Sequence, residues 1–248
     1  MKMLYTVFIL LALSLSSSFI KAEEPDWENY NQLLKQYVKP GQLNNVNLMT
    51  VDYLGIKGDP AFNKLVSQLV VFDTNKLVNK QEKLSFYINA YNVLAIKVVL
   101  DHWPVKSIKD VGGLFSSVWK EDAGKINGQM VSLHQIEHEI LRKMGEPRIH
   151  MSIVCASVSC PDLRNEAYTA DRLNEQLDEQ SKLFLANTKK GLYIKGNTAF
   201  VSKLFDWFEE DFENKGGVKR FIRQYNNDVN ENTKIDADIE YDWQLNKL

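Results

Sequence analysis

A chain of 248 residues with 44% hydrophobic and 25% charged positions can bury a sizeable core, and nothing in that balance suggests disorder. The formal charge is −2; without residues 1–22, which hold Lys2, Lys21 and no acid, 28 basic residues face 32 acidic ones, a charge of −4. So mildly acidic a surface gives no electrostatic reason to expect nucleic-acid binding.

The chain opens on Lys2, an apolar stretch fading into serines, and Ala22 as a small residue for cleavage, which reads as a signal peptide over 1–22. The expected location is periplasmic or secreted. No later stretch reads as a membrane span, and no repeat or linker breaks 23–248, so one globular domain is expected there.

After an entry region with DWENYNQLLKQYV, the segment LSFYINAYNVLAIKVVL (84–100) predicts a buried helix. Its polar positions Ser85, Asn89 and Asn92 form one narrow stripe. Buried amides need partners, so Asn89 and Asn92 either hold neighbouring backbone or belong to a site, where an amide donates to an oxyanion or orients a histidine. HWPVKSIKDVGGLFSSVW reads as a loop, with a turn following at Asn127-Gly128. VSLHQIEHEILRKMGEP predicts a helix capped by Ser132 with Gln135 and stopped by Gly145 and Pro147. On it, HQIEH matches the H-x-x-E-H pattern of inverted zinc metalloproteases, with His134 and His138 one turn apart. No third ligand is singled out, so zinc is not expected and no cofactor is required.

In RIHMSIVCASVSCPDLR (148–164), Ile149, Met151, Ile153 and Cys155 alternate with polar or smaller residues as in a strand, which puts His150 and Cys155 on opposite faces. The loop beyond it leads to Cys160. Three readings of the cysteines stand open: a buried structural thiol, a short disulfide, or a thiolate nucleophile activated by a histidine. Further on, TADRLNEQLDEQSKLFLAN predicts a helix and LYIKGNTAFV a hairpin turning at Gly196-Asn197. Phe205, Trp207, Phe208 and Phe212 predict a core-packing helix after Ser202. GGVKRFIRQYNN adds another helix, and YDWQLN docks the C-terminus.

FYINAYN, VSLHQIEHEILR, IHMSIVCASVSCPDLR, VSKLFDWFEEDF and YDWQLN, in that order, resemble the domain of unknown function 547 family over about residues 50–246. The resemblance implies a cysteine at 155 more regularly than at 160, which turns attention from an obligatory disulfide to Cys155. It also implies that a histidine at 134 is not a family feature, against zinc. The residue types match those of papain-like and transglutaminase-like enzymes, although Cys155 follows both histidines here, whereas those folds place the cysteine first.

The expected fold is therefore α+β, a helix-rich single domain with a small, mainly antiparallel sheet. The leading functional expectation is an exported thiol-dependent hydrolase or transferase acting on a peptide, amide or small thiol compound. Cys155 is its nucleophile and His138 its base, oriented by Glu137 or Asn89; Asn92, His150, Ser157, Cys160 and Arg164 bind. The alternative is a non-catalytic binding module for a peptide or a low-molecular-weight thiol such as glutathione, held as a mixed disulfide, and the third is a zinc metalloprotease-like protein using HQIEH.

Overall fold

The computed structural model describes residues 25–111 and 117–248. The signal peptide and the Gly112-Gly113 loop expected from the sequence lie outside them. Asp26 caps α1 (Trp27–Tyr37), which leads into the antiparallel hairpin β1 (Val38–Leu43) and β2 (Val46–Val51). Asp52 and Asp59 cap α2 (Tyr53–Gly58) and α3 (Pro60–Val71) by accepting backbone N–H groups.

The main core is built around α4 (Lys80–Asp101), whose start is fixed by a reciprocal capping box between Asn79 and Glu82. Contrary to the sequence reading, this helix is long and apolar enough to cross a membrane, but 83% of its most apolar window is buried inside the protein. Helices α1, α2 and α3 pack around it, and β3 (Asp122–Ile126) lies against α3 and α4. Asn127 and Gly128, with φ of 51° and 73°, make the expected turn from β3 to β4 (Gln129–Ser132).

The helix predicted after Ser132 forms, but as a π-helix over Gln135–Leu141, extended by a 3₁₀ turn over Arg142–Met144. The Ser132 hydroxyl accepts the Gln135 N–H at 3.1 Å, and Gln135 Oε1 accepts the Ser132 N–H at 2.9 Å. Gly145, at φ 63°, takes the left-handed conformation that ends the helix.

The strand predicted over 149–155 is absent. Pro147–Met151 is a 3₁₀ turn, begun by Pro147 at its first positions and by Glu146, whose carboxylate accepts the Arg148 N–H. The next backbone groups find a side chain rather than a neighbouring strand: Asn92 donates to the Ser152 carbonyl and accepts the Val154 N–H, both at 2.9 Å. Asn89 does the same for both backbone groups of Tyr168. Both asparagines are thus buried supports of the neighbouring chain.

Helix α5 (Leu173–Ala186) precedes a three-stranded sheet in which β5 (Leu192–Lys195) pairs antiparallel with β6 (Thr198–Ser202), and β6 pairs parallel with β7 (Lys234–Ile239). Between β6 and β7 run α6 (Leu204–Trp207), α7 (Glu209–Glu213) and α8 (Gly217–Arg223). Phe205, Phe212, Phe221 and Ile222 fill a second cluster there with Met151. The fold is α+β; among the described residues its strands are divided among three small sheets, two purely antiparallel and one mixed. The C-terminal segment crosses the cysteine loop: Val158 N donates to Gln244 O at 2.8 Å, and Asn246 N to Ala156 O at 3.0 Å.

Replacing Asn92 by alanine strands the Ser152 carbonyl and the Val154 N–H in the core. The variant is expected to lose about 3 kcal/mol of stability. Urea denaturation checks this; a loss below about 1 kcal/mol means the loop finds other partners.

Candidate functional site

A cavity of about 200 Å³ opens where the main core, α6 and the C-terminal segment meet. Its walls come from Tyr91 of α4, Glu137 and His138 of the π-helix, and His150 of the 3₁₀ turn. Trp119, Trp207, Phe208, Tyr241 and Trp243 add an aromatic wall, and Cys155 and Cys160 face the same space. The tail's last aromatic residues pack on α6, with Trp207 stacked on Trp243 at 5.6 Å and tilted on Tyr241 at 4.9 Å between ring centres.

Cys155 and Cys160 form a disulfide. The nucleophile reading needs a free Cys155 thiol, and in this state there is none. The two residues sit unequally: Cys155 is partly exposed, whereas Cys160 is 2% exposed. Cys160 Sγ accepts the Cys155 N–H at 3.0 Å and the Tyr241 hydroxyl at 3.2 Å. Cys155 Sγ lies 3.3 Å from Ser157 Oγ and 3.2 Å from the same tyrosine oxygen. Behind the loop, the buried Lys190 ammonium donates to the Cys160 carbonyl and to Asp162 Oδ1, each at 2.7 Å. Burial pushes the Lys190 ammonium below its ordinary pKa, against the pull of Asp162.

The other half of the cavity is a cluster of titratable side chains. Burial pushes the Glu137 carboxyl up to about 7, while Arg142 and a hydrogen bond from Tyr91 pull it down. His150 Nε2 lies 2.7 Å from Asp211 Oδ2, and its ring stacks on Phe208 with centroids 4.0 Å apart. Burial favours protonation of Asp211 too, but hydrogen bonds from His150 and Arg142 outweigh it and hold Asp211 at about 2. Arg142 grips Asp211 through two nitrogens at 2.6 and 2.9 Å. An ionised Asp211 only accepts, so Nε2 carries the His150 proton and Nδ1 is left as an acceptor, 3.9 Å from Glu137 Oε1.

His138 is not placed as the expected base. Burial, His134 and Arg142 together lower it to about 4, and Arg142 Nη1 donates to its Nδ1 at 2.7 Å. The same guanidinium opposes a cation there; the His134 and His138 rings stack at 4.3 Å, and no group of three metal-ligating side chains occurs among the described residues. Asn89 and Asn92 are held in the core as described, so neither reaches a reacting atom. Arg164 is also elsewhere, with Nε on Glu166 at 2.9 Å beside a separate groove.

The structure brings Cys155, Cys160, Glu137, His138 and His150 to one cavity, with Ser157 against Cys155. Sequence reasoning missed Asp211, Arg142, Tyr91 and Tyr241, and took Trp207 and Phe208 for core. The signal for Trp207, Phe208, Asp211 and Tyr241 was present in VSKLFDWFEEDF and YDWQLN, where aromatic residues cluster beside acids, but period alone does not tell a cavity wall from a core face.

Residues 75–185 match the family model described as Protein of unknown function, DUF547. The resemblance to this family is thereby supported over 111 of the 248 residues. No match was found among curated proteins or among solved structures. The DUF547 match carries α4, the π-helix, both cysteines and α5, whereas Asp211, Trp207, Tyr241 and Trp243 come from beyond it.

Glu137 has a folded pKa of about 7 against an ordinary 4.5, so between those values the folded state holds a proton that the unfolded state has released. Stability contributed by the protonated carboxyl is full below about 4.5 and lost as pH rises to about 7. The stability of the wild type relative to Glu137→Gln should fall across that window by on the order of 3 kcal/mol and then level off. Urea denaturation of both proteins at a series of pH values reads this directly, and a flat difference means that Glu137 stays ionised.

Proposed function

We propose that the cavity is a thiol–disulfide exchange site for a small-molecule or peptide thiol, in a protein exported to an oxidising compartment. The observation that carries this reading is the asymmetry of the disulfide: a partly exposed Cys155 joined to a buried Cys160 whose sulfur already has two hydrogen-bond donors. An incoming thiolate attacks Cys155 Sγ, and the bond to Cys160 breaks. Its electron pair leaves on Cys160 as a thiolate, held by the Cys155 N–H and the Tyr241 hydroxyl. The product is a mixed disulfide between Cys155 and the incoming sulfur. Ionised Glu137, with a pKa of about 7, takes the proton that the attacking thiol gives up.

A second reading keeps the hydrolase or transferase and applies to the reduced protein. The His150–Asp211 pair at 2.7 Å supports it, since Asp211 orients an imidazole in the cavity that Cys155 shares. His150, rather than His138, is the base in that case.

Oxidised protein treated with glutathione or cysteamine and quenched with an alkylating agent should carry a reducible adduct on Cys155 and an alkyl group on Cys160. Cys160→Ser, which has no internal disulfide to open, should accumulate the adduct stoichiometrically when given oxidised glutathione or cystamine, releasing one thiol per adduct, and Cys155→Ser should form none. Tyr241→Phe keeps the ring but removes one donor to the leaving sulfur, and should slow adduct formation roughly tenfold or more. A disulfide untouched by millimolar thiol until the protein is denatured sinks the exchange reading. Amide hydrolysis by reduced protein, lost in both Cys155→Ser and His150→Gln, selects the second reading instead.

A further inference from the structure

We propose that the cavity selects thiols that carry an ammonium group close to their sulfur, the small aminothiols, over thiols that carry a carboxylate. The inference rests on the exchange reading and names its substrate class.

Glu137 is the only carboxyl among the described residues lining the cavity, and no lysine or arginine stands with it there. The two lining histidines are no substitute for a cation. Burial lowers both His138 and His150, so near neutral pH they are uncharged. Two cations stand close by. Arg142 lies 5.4 Å from the centre of Phe208, with its nitrogens spent on Asp211 and His138. Lys109 sits 4.7 Å from the centre of Trp243.

A ligand carboxylate therefore meets Glu137 as a like charge with no lining cation to receive it. A ligand ammonium meets an opposite charge in a cavity whose walls also include the indoles of Trp119, Trp207 and Trp243. The small volume favours a ligand of a few heavy atoms beyond its sulfur, in the cavity that Cys155 and Glu137 both line.

Cation binding favours the ionised carboxylate, so ammonium affinity rises as pH passes through about 7. The groups acting on Glu137 from the packed elements are Tyr91 of α4, Arg142 of its own helical segment, His150 of the 3₁₀ turn, Asp211 of α7 and Tyr241 of the C-terminal segment, whose hydroxyl stays protonated. Arg142 and Asp211 are paired with each other, and His150 is neutral, so Glu137 is the group that changes charge near neutrality.

Three thiols of matched length test this: cysteamine, 2-mercaptoethanol and 3-mercaptopropionate, with exchange rates divided by thiolate concentration. The expected order is cysteamine, then mercaptoethanol, then mercaptopropionate, spanning about tenfold or more. Glu137→Gln should compress that order. Equal rates, or a faster carboxylate, overturn the proposal.

Butylammonium and butyrate, which carry no thiol, separate this failure from failure of exchange itself. Titrated into oxidised protein while tryptophan emission is followed, butylammonium should saturate and bind more tightly at pH 8 than at pH 6, and butyrate should not saturate. That result with no exchange of any thiol retains the ammonium site and rejects the exchange reading. No saturable butylammonium signal overturns the ammonium site. If Glu137→Gln fails to fold, the charge series and the pH dependence on the wild type still decide the matter.

Discussion

The amide of Asn92 governs where the cysteine loop runs. The backbone of 152–160 is buried and has no sheet to join, so each of its polar groups needs an individual partner. Asn92 supplies the first two from inside α4, at Ser152 and Val154, and sets the direction in which the chain reaches Cys155. The C-terminal segment then takes over, pairing with residues 156–159 and carrying Tyr241 and Trp243 across the disulfide. Lys190 closes the far end at the Cys160 carbonyl. The disulfide is held from the core helix, the tail and a buried lysine, so breaking its S–S bond need not release the loop.

The acid–base half of the cavity follows from how one guanidinium is shared. Arg142 commits two nitrogens to Asp211 and a third to His138, leaving Glu137 only a longer-range attraction. Asp211 therefore ionises readily, while burial dominates at Glu137 and raises it to about 7. Two carboxyls in neighbouring environments have pKa values pushed apart, an arrangement that separates a fixed charge from a proton carrier. Asp211 holds the His150 ring; Glu137 is the carboxyl whose charge changes near pH 7.

Much of the fold was legible wherever a local signal decided the structure. The buried helix, the Ser132–Gln135 cap, the stop at Gly145 and the turns at Asn127-Gly128 and Gly196-Asn197 each depend on a few adjacent residues. The strand over 149–155 failed for a physical reason. Its alternation of apolar and polar residues was real, but Pro147 and the Glu146 cap started a turn, and Asn92, some 60 residues away, took the hydrogen bonds a neighbouring strand would need. The site was legible by composition and illegible by contact. Cys155, Glu137 and His150 do share a cavity, but the partner that fixes His150 is Asp211, 61 residues on, and the donor on Cys160 is Tyr241, 81 residues on.

That long reach bears on how the two halves of the site act together. Tyr241 touches both sulfurs and shares the cavity with Glu137, whose charge adds to burial in holding the Tyr241 hydroxyl above its ordinary pKa. A hydroxyl kept protonated is a dependable donor to a sulfur that gains charge when the disulfide opens. A thiolate on Cys160 and a carboxylate on Glu137 would then bring two negative charges to one small cavity. Repulsion between them favours a proton on Glu137, so opening the disulfide and protonating the carboxyl assist each other. In the proposed exchange, the proton lost by the attacking thiol would thus be retained beside the sulfur that has just become charged.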